Sequence, residues 1–83
     1  MDCVIAVYRS RNVALRVYSR LEALGVTCSV ISTPRSANVG CGLSVKFSAN
    51  DLGILADRLR CVETFVGFFR VVGIGGKTVV TRL

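Results

Sequence analysis

The stretch CVIAVY, residues 3–8, decides the fold, because it places a buried strand directly before an amphipathic helix. A short continuous apolar run of this kind is typical of a central strand buried on both faces. Ser10 or Asn12 can cap the helix, since short polar side chains accept hydrogen bonds from the free amides of a helix N-terminus. Apolar residues then recur at helical spacing at Val13, Val17, Leu21 and Leu24. With Gly25 in the position of a left-handed C-cap, this pattern predicts a helix over residues 11–24.

The middle of the chain predicts two more strands joined by a loop. Residues 27–32 form the second strand, and Pro34 ends it because proline has no amide proton to donate to a sheet. Residues 35–42 are small and polar, which indicates a loop. Residues 43–48 alternate apolar and polar side chains, which predicts a third strand with one buried face.

The last third of the chain predicts a second helix and two strands. Asn50 caps this helix. Its buried stripe consists of Leu52, Leu55, Leu59 and Val62. Residues 65–72 form a fourth strand that is apolar on both faces. The glycine-rich segment 73–76 turns the chain into a short final strand over residues 78–82.

The order of these elements predicts the fold class. A single domain over residues 1–83 has the element order βαββαβ, followed by a short extra C-terminal strand. Right-handed crossovers and the pairing of adjacent elements make a ferredoxin-like α+β sandwich the simplest closure, with two helices on one face of the sheet. The strand order is then 4-1-3-2.

Composition and charge narrow the classes of partner. Hydrophobic residues make up 52% of the 83 residues, which is enough for one core. No apolar run approaches the roughly 18 residues that cross a bilayer. No basic segment of a signal peptide precedes Val4, so we expect a cytoplasmic protein without membrane association. The net charge of +6 favours acidic partners, although a basic surface without a ligand fits it equally well.

The chain has four cysteines and no histidine, which limits the chemistry that its side chains can perform. Their wide spacing, without a CxxC pair, argues against a metal site, and no motif indicates a cofactor. A reducing cytosol argues against disulfides. In the predicted topology, Cys41 and Cys61 share one end of the domain, and Cys3 and Cys28 share the other. We expect Cys3 and Cys28 to be small core or rim residues and Cys61 to be structural.

Cys41 differs from the other thiols because it lies in a loop between two glycines. The predicted topology brings Arg35 of the same loop close to it, together with Arg9 and Arg11 at the start of the first helix. Positive charge and free helix amides favour the thiolate, which is the nucleophilic form of cysteine. Cys41 is therefore a candidate reactive residue. The alternative is that a small residue between glycines merely turns the hairpin.

The face of the sheet opposite the helices is a candidate interface. Strands one and four are neighbours and apolar on both faces, so apolar side chains must point to the uncovered side. On strand one the outward set is either Val4, Ala6 and Tyr8 or Cys3, Ile5 and Val7. On strand four it is either Phe65 and Phe69 or Val66, Phe68 and Val72. The candidate interface residues are therefore Tyr8, Phe65, Phe68 and Phe69. This pattern predicts a homodimer, or a partner protein, packed on strands one and four. The alternative is that the C-terminal strand folds back over the patch.

The segment Thr33-Pro34-Arg35, followed after five residues by Cys41-Gly42, resembles a motif of a known family. It is similar to that of the small bacterial selenium/sulfur carrier protein-like proteins. These are about as long as this chain and also begin with an apolar strand and an aromatic residue before the first helix. The resemblance covers roughly the first sixty residues.

The resemblance implies a role for each residue of the motif. Cys41 would accept a sulfur or selenium atom as a persulfide or selenosulfide and pass it to an acceptor. Arg35 would lower the pKa of this thiol and hold the outer anion. Gly42 would let a donor thiol approach closely, and Thr33 and Pro34 would support the loop. The implied partners are sulfur or selenium donor and acceptor proteins.

Three functions follow from the sequence, and the carrier is the preferred one. Turnover by an enzyme is disfavoured, because no histidine, buried acid or metal offers proton transfer. A pure interaction or regulatory module would need only the sheet patch. A nucleic-acid binder would use Arg16, Arg20 and the other arginines, but the basic residues form no run and no ribonucleoprotein motif is present.

Overall fold

The protein is an α+β domain with two α-helices and a five-stranded antiparallel sheet, as a computed structural model shows. The structure describes residues 3–34 and 42–83. The strands are β1 (Cys3–Tyr8), β2 (Cys28–Ser32), β3 (Leu43–Ser48), β4 (Phe65–Ile74) and β5 (Lys77–Arg82). The helices are α1 (Arg11–Ala23) and α2 (Leu52–Arg60), and a single 3₁₀ turn (Ala49–Asp51) precedes α2.

The strands are arranged in the order β2-β3-β1-β4-β5, and every neighbouring pair is antiparallel. This order differs from the predicted four-strand order in that it has five members. The predicted extra C-terminal strand, β5, is hydrogen-bonded along the outer side of β4 and is the fifth member of the sheet. β1 is the central strand, as its continuous apolar sequence predicts.

The first helix begins and ends where the sequence places its signals. The side-chain oxygen of Ser10 accepts a hydrogen bond from the amide of Val13 at 3.3 Å, so Ser10 is the N-cap. Gly25 has a φ of 82°, in the left-handed region that favours glycine. The helix ends at Ala23, one residue before the predicted end.

The start of the second helix corrects the sequence-based prediction. Asn50 does not cap it; instead the Ser48 side chain accepts a hydrogen bond from the Asn50 amide at 3.2 Å. Ser48 is the last residue of β3 and has extended backbone angles, so it caps the 3₁₀ turn that leads into α2. Val62 lies beyond the end of α2 at Arg60 but still packs against the core.

The turn between the last two strands is shorter than predicted. β4 continues through Gly73 to Ile74, and only Gly75 and Gly76 form the turn. Their φ values are 55° and 78°. Two-residue hairpins of type I′ require positive φ at both central positions, which is why two adjacent glycines suffice here.

Both helices pack on one face of the sheet and form the main core with it. β1 contributes its alternate residues Val4, Ala6 and Tyr8. The helices contribute Val13, Ala14, Val17, Leu21, Leu55 and Leu59, and the remaining strands contribute Val45, Phe47 and Phe68. The alternation of β1 residues therefore determines which side chains lie under the helices.

Two of the predicted interface residues, Tyr8 and Phe68, lie in this core instead, and a third, Phe65, packs against it. Tyr8 has no exposed surface and Phe68 is buried, and Phe65 packs edge-to-face on Phe68 with 4.9 Å between ring centroids. The prediction was wrong for Tyr8 and Phe68, which are buried under the helices, and it stays a prediction for Phe65. Because β1 and β4 are apolar on both faces, the sequence does not indicate which alternate set lies under the helices.

The opposite face is also buried within the single chain. Ile5 and Val7 are fully buried, and Phe69 is 6% exposed. Their apolar neighbours are Ile31, Val66, Val71 and Val80. The Arg82 guanidinium lies 5.6 Å from the centre of the Phe69 ring and donates a hydrogen bond to the Val66 carbonyl at 3.1 Å. β5 does not fold back over this face, because it is the edge strand beside β4, but its Val80 and Arg82 side chains contact the patch. A homodimer through strands 1 and 4 stays a prediction.

Candidate functional site

The loop predicted to bear the reactive thiol emerges from the hairpin of β2 and β3. Arg35 and Cys41 lie outside the described residues, whereas Thr33, Pro34 and Gly42 lie within them. The amide of Thr33 donates a hydrogen bond to the Gly42 carbonyl at 2.8 Å. The structure therefore ties the two ends of the loop directly to each other.

A second contact reinforces the base of the loop. The hydroxyl oxygens of Thr33 and Ser44 lie 2.6 Å apart and share a hydrogen bond. Ser44 is fully buried, so this bond satisfies a hydroxyl that would otherwise be costly to remove from water. Sequence reasoning identified Thr33 but missed Ser44, whose only signal was its polar position in the alternation of β3.

Gly42 has a local structural reason to be glycine. Its φ is 88°, and an added Cβ would meet no atom within 4 Å. The backbone angle, and not crowding, therefore requires glycine at this position. The closer approach of a donor thiol that we assigned to Gly42 stays a prediction.

The base of the loop lies at the end of the sheet where α1 begins. Val7 is paired with Ser44, so the end of β1 and the start of β3 are neighbours. The exposed residues Arg9 and Arg11 follow directly after β1. No acidic residue lies in the first turn of α1, so this turn supplies no carboxylate of its own to offset the positive end of the helix.

The start of α1 is held in place by Thr64. The Arg9 amide donates to the Thr64 carbonyl at 2.9 Å, and the Ser10 amide donates to the Thr64 hydroxyl at 3.3 Å. Thr64 has a φ of 62°, an uncommon angle for a β-branched residue. Sequence reasoning missed Thr64, because nothing in the local pattern marks a threonine for a left-handed backbone.

The described thiols lie at both ends of the domain. Cys61 is exposed and follows the last residue of α2, at the same end as the base of the loop. Cys3 and Cys28 line a groove at the other end. The Cys28 Sγ donates to the Tyr18 carbonyl at 3.8 Å, and burial followed by the charge of Glu22 raises the pKa of this thiol. Cys28 is therefore a neutral donor with a structural role.

The described residues show neither a metal-binding cluster nor a membrane-spanning helix. In the ranges 3–34 and 42–83, no group of three or more histidine, cysteine, aspartate or glutamate residues is placed to hold a metal ion. Over the same ranges, neither helix is long and apolar enough to span a bilayer.

The fold and site define a class: a small α+β domain with a cysteine loop whose base is fastened to the central sheet. The family model described as "Putative Se/S carrier protein-like" matches residues 2–63. The chain belongs to this family. The match runs from β1 through α2, includes Cys41, and stops before β4. No curated protein and no solved structure matches the chain.

Proposed function

We propose that this protein is a sulfur or selenium carrier in which Cys41 holds the transferred atom. The observation on which the proposal depends is the family match over residues 2–63, which includes Cys41 together with Thr33 and Gly42 at the base of its loop. A carrier needs only a nucleophile and a surface on which donors and acceptors dock, so no further catalytic group is required.

The chemistry balances without an added oxidant. The Cys41 thiolate attacks the outer sulfur of a donor persulfide, R–S–S⁻; a new S–S bond forms at Cys41 as the donor S–S bond breaks, and the donor leaves as the thiolate R–S⁻. In the second step an acceptor thiolate attacks the outer sulfur on Cys41, and the Cys41 thiolate leaves. A selenium atom would follow the same steps through a selenopersulfide donor, R–S–Se⁻.

Three features of the described residues support this proposal. The bond between Thr33 and Gly42 holds the ends of the loop together, so that the loop leaves the sheet at a fixed place. Arg9 and Arg11 add positive charge at that end, and the start of α1 adds free amide donors. Such surroundings favour thiolates and terminal persulfide anions. We assign to Arg35 the role of pairing with the outer anion.

The proposal also covers the fold relation, the partners and the cellular location of the protein. The βαββαβ part of the chain with its two helices fits a ferredoxin-like domain, and we retain that relation as part of the proposal. The partners are donor and acceptor proteins with accessible thiols, in the reducing cytoplasm where free thiols persist. Association into homodimers is a separate expectation that sedimentation would test.

Loading with sulfur tests the proposal. The reduced protein is incubated with glutathione persulfide and separated from the reagent, and its intact mass is measured by mass spectrometry. The parent protein is expected to gain the mass of one sulfur atom. The Cys41→Ser variant is expected to gain none, whereas Cys61→Ser, which removes the exposed thiol at the same end of the domain, loads like the parent.

Two results would contradict the proposal. The first is a Cys41→Ser variant that loads as fully as the parent protein. The second is a Cys61→Ser variant that loses all loading while Cys41 is intact, since the transferred atom would then reside on the thiol at the end of α2.

A further inference from the structure

The two helices leave an apolar groove between them on the outer side of the domain. The groove has a volume of about 300 Å³. Its apolar lining consists of Val17, Leu21, Leu24, Leu59 and Val62. Leu24 is 60% exposed, so part of this lining faces solvent in the free protein. An apolar side chain from another molecule would remove that surface from water.

Arginines stand on both sides of the same groove. Arg20 on α1 and Arg58 on α2 line it, and Arg16 lies where it continues toward Cys61 and Glu63. This continuation has a volume of about 330 Å³. The groove therefore combines an aliphatic floor with a basic rim.

The charges on this rim are not balanced within the described residues. Arg16 forms an ion pair with Glu63. Over residues 3–34 and 42–83, neither Arg20 nor Arg58 has an ion pair or a side-chain hydrogen bond. Like charges four residues apart on a helix, such as Arg16 and Arg20, repel each other. An anionic occupant would relieve that repulsion and supply partners for both unpaired guanidinium groups.

We propose that this groove docks an acidic segment of a partner protein, with one apolar side chain on the aliphatic floor and carboxylates paired with Arg20 and Arg58. The planar guanidinium group matches the two oxygens of a carboxylate, which makes arginine well suited to such contacts. The proposal does not depend on the chemistry of Cys41, because the groove is built from described residues of α1 and α2 and the residues just after α2.

The lining of the groove favours an acidic peptide over a nucleic acid. Proteins that bind single-stranded nucleic acids use aromatic side chains on which the bases stack. The lining residues of this groove include no aromatic side chain, and its floor is aliphatic. A leucine or isoleucine side chain fits this floor better than a base or a sugar-phosphate chain does.

A peptide titration followed by NMR tests the proposal. The Cys41→Ser protein is titrated with a panel of short synthetic peptides in which glutamates flank one leucine, and amide chemical shifts are recorded. At least one peptide is expected to cause saturable shifts centred on Arg20, Leu24, Arg58 and Val62. Replacing its glutamates by glutamine, or its leucine by serine, is expected to abolish them. A panel without saturable shifts would overturn the proposal, as would equal shifts from free glutamate.

Matched variants separate docking from general charge attraction. Arg58→Glu is expected to weaken peptide binding about tenfold, since it replaces an attraction by a repulsion. Lys77→Glu is the control, because this substitution on β5 changes the charge by the same amount at a residue that does not line the groove. Equal weakening by the two variants would refute the proposal, since only net charge would then matter.

A second pair of variants tests the aliphatic floor. Leu24→Ser removes an apolar side chain that lines the groove, and Ile54→Ser removes one that is 77% exposed and does not line it. We expect Leu24→Ser to weaken binding at least about fivefold, from the loss of one partly buried leucine contact, and Ile54→Ser to leave it unchanged. If both variants bind the peptide like the parent, the apolar contact does not exist and the proposal fails.

Discussion

Replacement of Tyr8 tests how the central strand is joined to the second helix. Tyr8 ends β1 and is fully buried. Its hydroxyl donates a hydrogen bond to the Leu59 carbonyl at 3.0 Å, and its ring lies edge-to-face on Phe65 at 5.6 Å between centroids. Tyr8 therefore links the end of β1 to the last turn of α2.

Two substitutions separate the hydroxyl from the ring. In Tyr8→Phe the Leu59 carbonyl keeps a second donor, the Val62 amide at 3.3 Å, so it is not left unpaired. The expected loss in the free energy of unfolding is therefore about 1 kcal/mol, the net contribution of one hydrogen bond. Tyr8→Ala also removes the buried ring, and we expect a loss of about 3–5 kcal/mol.

The same hydroxyl predicts a pH dependence. Burial raises the pKa of Tyr8 above its ordinary value of 10.0. Above that pH the unfolded chain loses the tyrosine proton while the folded protein keeps it, so the unfolded state binds fewer protons and stability falls as pH rises. The contribution of Tyr8 is fully present below pH 10.0 and is lost as pH rises toward the folded-state pKa. Its slope is at most about 1.4 kcal/mol per pH unit.

Urea denaturation at neutral pH and at a series of alkaline pH values measures both effects. Tyr8→Phe is expected to lower the midpoint at neutral pH without changing the m-value, and to flatten the alkaline decline. Tyr18→Phe is the control at neutral pH, because the bond of Tyr18 to Glu22 is exposed and contributes less. A Tyr8→Phe protein as stable as the parent, with an unchanged alkaline slope, would refute the reasoning.

Three further perturbations test the sheet and the loop. Gly67→Ala is expected to stabilise a protein that already carries Arg82→Ala by about 0.5–1 kcal/mol. It is expected to stabilise the parent protein less, because the new Cβ would lie 3.2 Å from the Arg82 guanidinium. Equal effects in the two backgrounds of this double-mutant cycle would contradict the reasoning. Gly42→Ala is expected to lower the free energy of unfolding by about 1–2 kcal/mol because its φ is 88°, and an unchanged urea midpoint would argue against that strain. Arg35→Gln is expected to slow the alkylation of Cys41 by iodoacetamide at neutral pH, and an unchanged rate would remove Arg35 from the proposed site.

The parts of the fold that the sequence predicts well have strong local signals. The apolar run at residues 3–8 predicts β1, and helical spacing with Ser10 and Gly25 at the ends predicts α1 to within one residue. These features depend on backbone hydrogen bonds and φ angles that neighbouring residues determine. They can therefore be predicted without tertiary information.

The errors arise where local signals compete or are silent. Ser48 and Asn50 are both good caps, and only the path of the chain out of β3 decides between them. On the sequence alone Tyr8 is a candidate for the open face, because a strand that is apolar on both sides gives no sign of which side the helices cover. The cover that Arg82 provides over Phe69 depends on strand pairing across the hairpin, which no local pattern encodes.

The candidate site was predictable only in part for a similar reason. The motif identified Thr33 and Gly42, but their mutual hydrogen bond and the link to Ser44 come from the register of β2 and β3. The inter-helix groove needs both helices in place, because Arg20 and Arg58 are far apart in sequence. The four-residue spacing of Arg16 and Arg20 fits an anionic partner, but on the sequence alone a solvated helix face explains it better.

Onward transfer of sulfur tests the carrier proposal most directly. The protein is loaded from a persulfide donor containing radiolabelled sulfur, separated from that donor, and mixed with an excess of an acceptor thiol. The account predicts that the label leaves Cys41 and appears on the acceptor as a persulfide, in an amount equal to that loaded, while the protein returns to its reduced mass. Two results would contradict the account. The first is a protein with Cys41 intact that takes up no label from the donor. The second is label that stays on the loaded protein in the presence of the acceptor.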